Sequence, residues 1–167
     1  MDYMQVYSSP LGPMTMASDG IALTGLRFDL QSHSAADPAP VRAPWALPVF
    51  DQTAAWLDAY FSGTIPGEAP PLLPRGTDFQ RSVWDLLLTI LYGQTVTYGE
   101  LAKQLHSSAR AVGGAVGRNP IAILIPCHRV VGVDGLTGYG AGLDRKIALL
   151  HLEGAPLPAP YFELSAN

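Results

Sequence analysis

The segment Thr97–Gly117 has the sequence TYGELAKQLHSSARAVGGAVG. Thr97 and Glu100 have the spacing of a capping box, in which each side chain bonds the backbone N–H of the other residue at a helix start. A second helix can begin a few residues later, with Ser107 or Ser108 as its cap. Two short helices joined by a tight polar turn are typical of a helix-turn-helix, and the segment predicts one.

The second of these helices, from about Ala109 to Gly117, consists almost entirely of small residues. Its one long side chain, Arg110, stands near the start. A glycine inside a helix costs about 1 kcal/mol relative to alanine, so a close approach to another backbone must offset that cost. Two interpretations stay open: tight packing against a neighbouring helix, or close docking on DNA.

The first half of the chain reads as strands. Short, partly alternating apolar segments separated by turn residues predict a small sheet with strands at Met4–Tyr7, Met14–Ala17 and Ile21–Arg27. Residues 31–48, rich in Ser, Ala and Pro, predict a loop. Apolar residues at helical spacing between Phe50 and Phe61 predict one amphipathic helix.

The remaining chain is mostly helical by pattern. Thr77 is expected to cap a helix that runs to Leu91 and stops at Gly93, and a last helix is expected over Leu143–Leu152 with Gly154 as its stop. Short extended segments are expected at Ile121–Ile125 and Arg129–Val133.

A proline- and glycine-rich stretch, residues 64–76, places the domain boundary near residue 75. We therefore expect an α+β protein with two domains. Residues 1–75 form a small N-terminal domain of β-sheet plus helix. Residues 76–167 form a mainly helical C-terminal domain with the helix-turn-helix and a cysteine-bearing loop.

Composition limits the function. The chain has 167 residues, one cysteine and a net charge of −4. A single cysteine excludes a disulfide framework and a multi-thiolate zinc site, and no apolar run approaches the length of a membrane span. Residues 1–75 carry all of the excess acid, whereas residues 76–167 are neutral. The second half can therefore approach a phosphate backbone without strong repulsion.

The one cysteine, Cys127, lies in the run ILIPCHRVV from Ile123 to Val131. A lone cysteine in an aliphatic run is most often an inert core residue. A thiol beside a base or a cation can instead act as a nucleophile, and His128 with Arg129 could supply both.

Taken together, these motifs resemble the O6-alkylguanine-DNA alkyltransferases. The resemblance covers residues 77–154 in order, and Ser9–Gly12 resembles the start of the family's N-terminal domain. The matching motifs are Phe79-Gln80, Val83-Trp84, Val96-Thr97-Tyr98, Ala109–Gly113, Asn119-Pro120, Ile125–Val131, Thr137-Gly138-Tyr139, Arg145-Lys146 and Glu153-Gly154.

The resemblance implies a single-turnover enzyme without cofactor or metal. It transfers an alkyl group irreversibly from O6-alkylguanine, and also from O4-alkylthymine, in double-stranded DNA to Cys127. The helix-turn-helix binds the minor groove and the damaged base is flipped out. Arg110 is expected to replace that base in the stack, and the small residues that let the helix approach DNA closely are Ala109, Ala111, Gly113 and Gly114.

The family's site residues map onto this chain by position. His128 would take the thiol proton through a water and Glu153 would orient it, while Asn119 would hold the cysteine turn. Tyr98 would help rotate the phosphate and donate to the flipped base. The carbonyls of Cys127 and Val130 would accept from the guanine amine. The expected pocket residues are Tyr98, Val130, Tyr139, Gly140 and Ala122.

The chain departs from the family pattern in three places. The turn His106-Ser107-Ser108 is about two residues shorter than the common Gly-x-Pro-x-Ala turn. Gly140-Ala141-Gly142 stands where some members have a serine, so a backbone amide must contact the guanine oxygen. Ala122 stands where some members have proline, and we expect a roomier pocket that accepts bulkier alkyl groups.

Three other classes compete. A lesion-binding protein of the alkyltransferase-like type lacks the cysteine that is present here. Regulators in this family carry an additional cysteine-rich metal domain, and a thiol hydrolase would need an oxyanion hole that the sequence does not suggest. We expect a cytoplasmic monomer without membrane association that could bind DNA cooperatively.

Overall fold

The computed structural model describes residues 2–28, 41–43, 45–133, 135 and 138–157. By their contacts, the residues divide into two compact units. The first comprises Met1–Arg75 together with Pro120–Ala122, and the second comprises Gly76–Asn119 and Ile123–Asn167.

In its described residues, the first unit has a four-stranded sheet and one helix: β1 (Tyr3–Ser9), β2 (Gly12–Ser18), β3 (Leu23–Phe28), β4 (Val41–Arg42) and α1 (Pro48–Phe61). Strand order is β3-β2-β1-β4, with β1, β2 and β3 antiparallel and β4 parallel to β1. Its core is apolar side chains from the sheet and the helix, including Met14, Met16, Leu26, Phe28, Phe50 and Leu57.

The sequence identified three of the strands and the helix, with ends that differ by up to two residues. It missed β4, which lies in the predicted loop; most of that loop, residues 31–40 and 44, is outside the described residues. A strand of two residues is too short to be recognised from the sequence, because the alternation of apolar and polar residues shows only over several positions.

The proline-rich stretch after α1 belongs to the first unit and is hydrogen-bonded to residues near its start. Leu23 N–H donates to the Pro71 carbonyl and Leu73 N–H donates to the Leu23 carbonyl, both at 2.8 Å. The Arg75 guanidinium pairs with both carboxylate oxygens of Asp2 at 2.9 and 3.0 Å.

A second segment also pairs with β3. Leu26 N–H donates to the Pro120 carbonyl and Ala122 N–H donates to the Leu26 carbonyl, both at 2.9 Å. These two bonds explain why Pro120–Ala122 belongs to the first unit although the residues before and after it belong to the second.

Among the residues that the structure describes, the second unit holds four α-helices, one turn of 3-10 helix and a two-stranded parallel sheet. The elements are α2 (Asp78–Leu87), β5 (Val96–Thr97), α3 (Tyr98–Gln104), α4 (Ala109–Gly117), β6 (Val130–Val131) and α5 (Leu143–Leu152). The predicted capping box at Thr97 is present, and Ser108 caps α4 by accepting from the Ala111 N–H. The indole N–H of buried Trp84 donates to the Ala115 carbonyl at 2.9 Å, which ties α2 to α4.

Two predictions for residues 77–125 are wrong. Helix α2 ends at Leu87 instead of Leu91, and Leu91 is exposed. Residues 121–125 form a bridge to β3 followed by a turn, not a strand. Directly after the segment paired with β3, Ile123 takes the left-handed conformation with φ +70°, which a β-branched residue rarely adopts.

The prediction of the last helix is confirmed, and that of an extended segment after the cysteine is confirmed in part. The last helix has the predicted bounds, and Gly154 follows it with φ +69°. Within Arg129–Val133, the strand is limited to β6, which pairs with β5. No helix in the described part of the chain is long and apolar enough to cross a membrane.

Candidate active site

Cys127 lies in a buried turn. Residues Cys127–Arg129 form one turn of 3-10 helix, closed by the Val130 N–H donating to the Cys127 carbonyl. Cys127 is a free thiol and is 8% exposed. Two side chains hold the backbone around it: the Asn119 amide donates to the Ile125 carbonyl at 2.7 Å, and the Lys146 ammonium donates to the Val130 carbonyl at 2.7 Å.

The carboxylate of Glu153 joins three parts of the second unit. One oxygen contacts His128 Nε2 at 2.5 Å, and the other accepts from Arg129 Nε at 2.7 Å and from the Gly93 N–H at 3.0 Å. Glu153 follows α5, His128 and Arg129 lie in the cysteine turn, and Gly93 lies between α2 and β5. The side chains of Glu153, His128 and Arg129 are all buried.

Burial alone would raise the pKa of Glu153. The bonds from His128 and Arg129, together with the Gly93 N–H, outweigh burial and lower its pKa to about 2. Glu153 is therefore ionised at neutral pH, and a buried anion with this many donors is well satisfied.

His128 is held in one orientation by this carboxylate. Burial lowers its pKa, although the neighbouring Glu153 opposes that effect, and we conclude that the ring is neutral at pH 7. A neutral ring donates from one nitrogen only. Because the carboxylate can only accept, Nε2 carries the proton and the buried Nδ1 keeps its lone pair; Nδ1 has no nitrogen or oxygen partner among the described residues.

The Cys127 thiol is protonated at rest. Burial raises its pKa and is the dominant influence. A hydrogen bond from Asn119, the charge of Lys146 and the Tyr139 hydroxyl act in the opposite direction. The thiol must therefore lose its proton as it reacts, and a neutral imidazole is a suitable acceptor.

The structure corrects the role that the sequence suggested for Arg129. Its Nε bonds Glu153, its Nη1 donates to the Ile90 carbonyl at 2.7 Å, and its Cζ lies over the Tyr92 ring, 5.9 Å from the ring centroid. Its charge is thus compensated by Glu153, and the cation that acts on the sulfur is Lys146.

Sequence reasoning did not single out Lys146 as a site residue. It is fully buried on α5, and burial lowers its pKa to about 8. A signal for it exists in the sequence, because Lys146 lies three residues after Leu143 and four before Leu150, on the apolar stripe of that helix.

The helix-turn-helix presents the predicted small residues. In α4, Val112, Ala115 and Val116 are buried, whereas Ala109, Arg110, Ala111 and Gly114 are exposed. A methyl group added at Gly114 would meet no atom of the described residues within 4 Å. Tight packing against a neighbouring helix therefore does not explain this glycine.

Tyr98 is the first residue of α3 and directly follows β5, which pairs with β6 after the cysteine turn. Its ring lies against the backbone of Gly113, where an added methyl group would be 3.7 Å from the ring. The turn before α4 has His106 in the left-handed conformation at φ +50°.

The predicted pocket residues differ in how deeply they are buried. Val130 is buried in β6, and the buried Tyr139 hydroxyl lies beside the Cys127 sulfur; burial and that sulfur raise the Tyr139 pKa well above its usual value. Gly140 is exposed in a turn. Ala122 is buried in the first unit.

In the described residues, no group of three His, Cys, Asp or Glu side chains could hold a metal ion.

The Glu153 contacts predict a specific acid response. A carboxylate whose pKa is depressed in the folded state stabilises it above its unfolded pKa, and the stabilisation is lost as pH falls through the folded pKa. From an ordinary value of 4.5 down to about 2, the free energy of unfolding should drop by about 3 kcal/mol. Urea denaturation across this pH window should show a clearly smaller drop in Glu153→Gln, which is also less stable at neutral pH because Arg129 loses its anion.

The matched control is Glu68→Gln, which makes the same change at an exposed position in the segment after α1. Its acid response should equal that of the wild type. An unchanged drop in Glu153→Gln would contradict the assignment of this carboxylate as the acid-sensitive contact.

Comparison with known proteins agrees with the fold. The model of the 6-O-methylguanine DNA methyltransferase DNA-binding domain matches residues 78–155, and that of the same enzyme's ribonuclease-like domain matches residues 3–66. A methylated-DNA–protein-cysteine methyltransferase of Mycobacterium tuberculosis is 47% identical over 164 residues, covering 95% of this chain and 96% of the relative.

Two solved structures from the same organism are similar throughout. The crystal structure of the M. tuberculosis O6-methylguanine methyltransferase has a TM-score of 0.82 at 45% identity, covering 98% of this chain and 99% of that chain. The M. tuberculosis OGT in complex with DNA has a TM-score of 0.82 at 46% identity, covering 92% and 95%. The chain belongs to the methylated-DNA–protein-cysteine methyltransferase family.

Proposed function

We propose that the protein repairs DNA by transferring a methyl or other alkyl group from the O6 atom of guanine to the sulfur of Cys127. The observation that carries this proposal is the buried Cys127 thiol in one turn with a histidine whose tautomer is fixed by Glu153. Membership of the family supports it independently.

In the proposed reaction, the Cys127 sulfur attacks the alkyl carbon, and a sulfur–carbon bond forms as the carbon–O6 bond breaks. The thiol proton passes to Nδ1 of His128, directly or through water, and the electron pair of the broken bond goes to the guanine, which takes up a proton. The product is a thioether, which has no ready leaving path. Each molecule therefore acts once, without cofactor.

DNA is the proposed partner, and the relative crystallised with DNA supports it. We propose that the exposed small-residue face of α4 enters the minor groove, because small side chains permit a close approach. An alkyl group on O6 is inaccessible inside a stacked duplex, so the base must be flipped out. The exposed Arg110 would fill the gap, and Tyr98 would donate to the flipped base.

Two backbone carbonyls are proposed to select guanine. The Cys127 carbonyl already accepts from the Val130 N–H, and the Val130 carbonyl from Lys146. Each carbonyl has a second lone pair that can accept from the exocyclic amine of guanine. O4-alkylthymine lacks this amine, and we propose it as the poorer substrate.

The remaining proposals concern the protein as a whole. We propose residues 1–75 and 76–167 as its two domains, with the chemistry in the second. We also propose a monomer that acts in the cytoplasm, where reducing conditions keep a catalytic thiol free, and whose molecules can bind DNA side by side.

Stoichiometric methylation tests the function most simply. Intact mass spectrometry after mixing with a duplex containing O6-methylguanine should show a gain of one methyl group on every molecule. Cys127→Ser should show none, because a hydroxyl is a far weaker nucleophile than a thiol. Repeated turnover, or methylation of the Ser variant, would refute the proposed acceptor.

A substitution at the exposed Gly114 of α4 distinguishes a role of this face in DNA docking from a purely structural role. Gly114→Ala should raise the free energy of unfolding by up to about 1 kcal/mol, since alanine favours the helix and meets no neighbour. The same change should weaken binding to O6-methylguanine duplex severalfold or more, measured by fluorescence anisotropy, because the added methyl group holds the helix away from the groove.

Ser82→Ala is the control, since it changes a neutral, exposed position on α2. It should leave DNA affinity unchanged. If Gly114→Ala stabilises the protein without any loss of DNA affinity, this face of α4 does not dock on DNA.

A further inference from the structure

The basic side chains of the second unit fall into two groups. Residues 76–167 hold seven basic residues. Four of them bond a carboxylate or a backbone carbonyl: Arg81 pairs with Asp78, Arg129 with Glu153, Arg145 with the Ala141 carbonyl and Lys146 with the Val130 carbonyl. The side chains of the other three, Lys103, Arg110 and Arg118, are exposed and bond nothing in the part of the chain that the structure describes.

The three exposed cations all belong to the helix-turn-helix or follow it directly. Residues 101–133 contain no acidic residue, so no carboxylate of this segment neutralises them. A set of cations without counterions is typical of a surface that binds an anionic partner. Lys103 lies on α3, whereas Arg110 and Arg118 stand at the two ends of α4.

Arg118 continues the open face of α4. Its backbone is fixed, because its N–H donates to the Ala115 carbonyl at 3.2 Å and so closes the end of the helix. It stands four residues after Gly114, which is one helical turn along the same face. A methyl group added at Gly114 or at Gly117 would meet no described atom within 4 Å. The face is therefore open from Arg110 to Arg118.

The dimensions of this face place Arg118 near the DNA backbone. From Arg110 to Arg118 the face is about 12 Å long, at about 1.5 Å per residue, and the minor groove is about 6 Å wide. When Arg110 lies inside the groove, the other end of the face lies close to the sugar–phosphate edge. The C-terminal end of a helix has a partial negative charge that repels a phosphate. A phosphate contact there requires a cation, and Arg118 supplies it.

We propose that Arg118 binds a backbone phosphate of the DNA at the C-terminal end of α4, at the opposite end of the helix from Arg110. The proposal deepens the proposed function and rests on it for the identity of the DNA partner. A phosphate contact positions the protein without reading the bases. Arg118 therefore contributes equally to the binding of damaged and undamaged duplex.

A purely structural role is the alternative. A cation at the C-terminal end of a helix also stabilises that helix. The next residue, Asn119, holds the cysteine turn by donating to the Ile125 carbonyl at 2.7 Å. A structural Arg118 would affect folding or the rate of methyl transfer, but it would leave the salt dependence of DNA binding unchanged.

The first measurement is the salt dependence of binding to an undamaged duplex, followed by fluorescence anisotropy. Each phosphate contact contributes about −0.9 to the slope of log K against log salt concentration. Arg118→Gln should make the slope shallower by about 0.9, and at about 100 mM salt it should weaken binding about three- to tenfold for undamaged and O6-methylguanine duplexes alike. Arg118→Lys should keep the slope within about 0.3 of wild type, because lysine also binds phosphate as a point charge.

The matched control is Arg81→Gln. It removes an exposed arginine from the same unit and changes the net charge by the same amount, but Arg81 lies on α2 and is paired with Asp78. Its slope should equal that of the wild type. Urea denaturation of each variant checks that it is folded.

The second measurement is methyl transfer from an O6-methylguanine duplex in single-turnover reactions at increasing DNA concentration. Arg118→Gln should need more DNA to reach half of its limiting rate, since binding is weaker. The limiting rate itself should stay within about twofold of wild type, because Arg118 does not contact the reacting atoms.

An unchanged salt slope in a folded Arg118→Gln overturns the proposal, and a slower limiting rate with that unchanged slope assigns Arg118 a structural role through Asn119. An equally shallow slope in Arg81→Gln also overturns it, since net charge alone would then explain the effect. If Arg118→Gln alone makes the slope shallower but the wild type transfers no methyl group, the phosphate contact stands and the proposed function fails. A wild type that binds no duplex overturns both.

Discussion

The ionised carboxylate of Glu153 is the contact on which the cysteine site depends. It receives hydrogen bonds from His128, from Arg129 and from the Gly93 N–H, all in the buried interior of the second unit. Removing one partner from such a group leaves a buried charge uncompensated, which typically costs about 3–5 kcal/mol. The end of α5, the turn after α2 and the cysteine turn are therefore held as one piece.

This arrangement explains how a buried thiol can stay protonated at rest and still react with an alkyl group. Burial keeps the Cys127 thiol protonated and the His128 ring neutral, so neither the nucleophile nor its proton acceptor is charged at rest. Because Glu153 fixes the ring with its basic nitrogen unprotonated, a proton acceptor is in place when an alkyl carbon arrives. The Asn119 amide and the Lys146 ammonium then stabilise the negative charge that develops on the sulfur.

The sequence predicted the features that depend on local chemistry. The helix-turn-helix followed from the cap at Thr97 and the serines before α4, and the bounds of α5 followed from its apolar spacing and Gly154. Features set by distant partners were not predictable in this way. The pairing of Pro120–Ala122 with β3 depends on backbone bonds to Leu26, and the partner of Arg129 is 24 residues away. Nothing in the local pattern of either segment specifies such a partner.

The protonation of His128 tests this account most directly. Long-range 1H–15N NMR of the imidazole rings, with the His128 signals assigned by comparison with a His128→Gln variant, distinguishes the two neutral tautomers from the charged ring. The account predicts a neutral His128 at pH 7 with the proton on Nε2 and a bare Nδ1. A proton on Nδ1, or a charged ring at that pH, would contradict it.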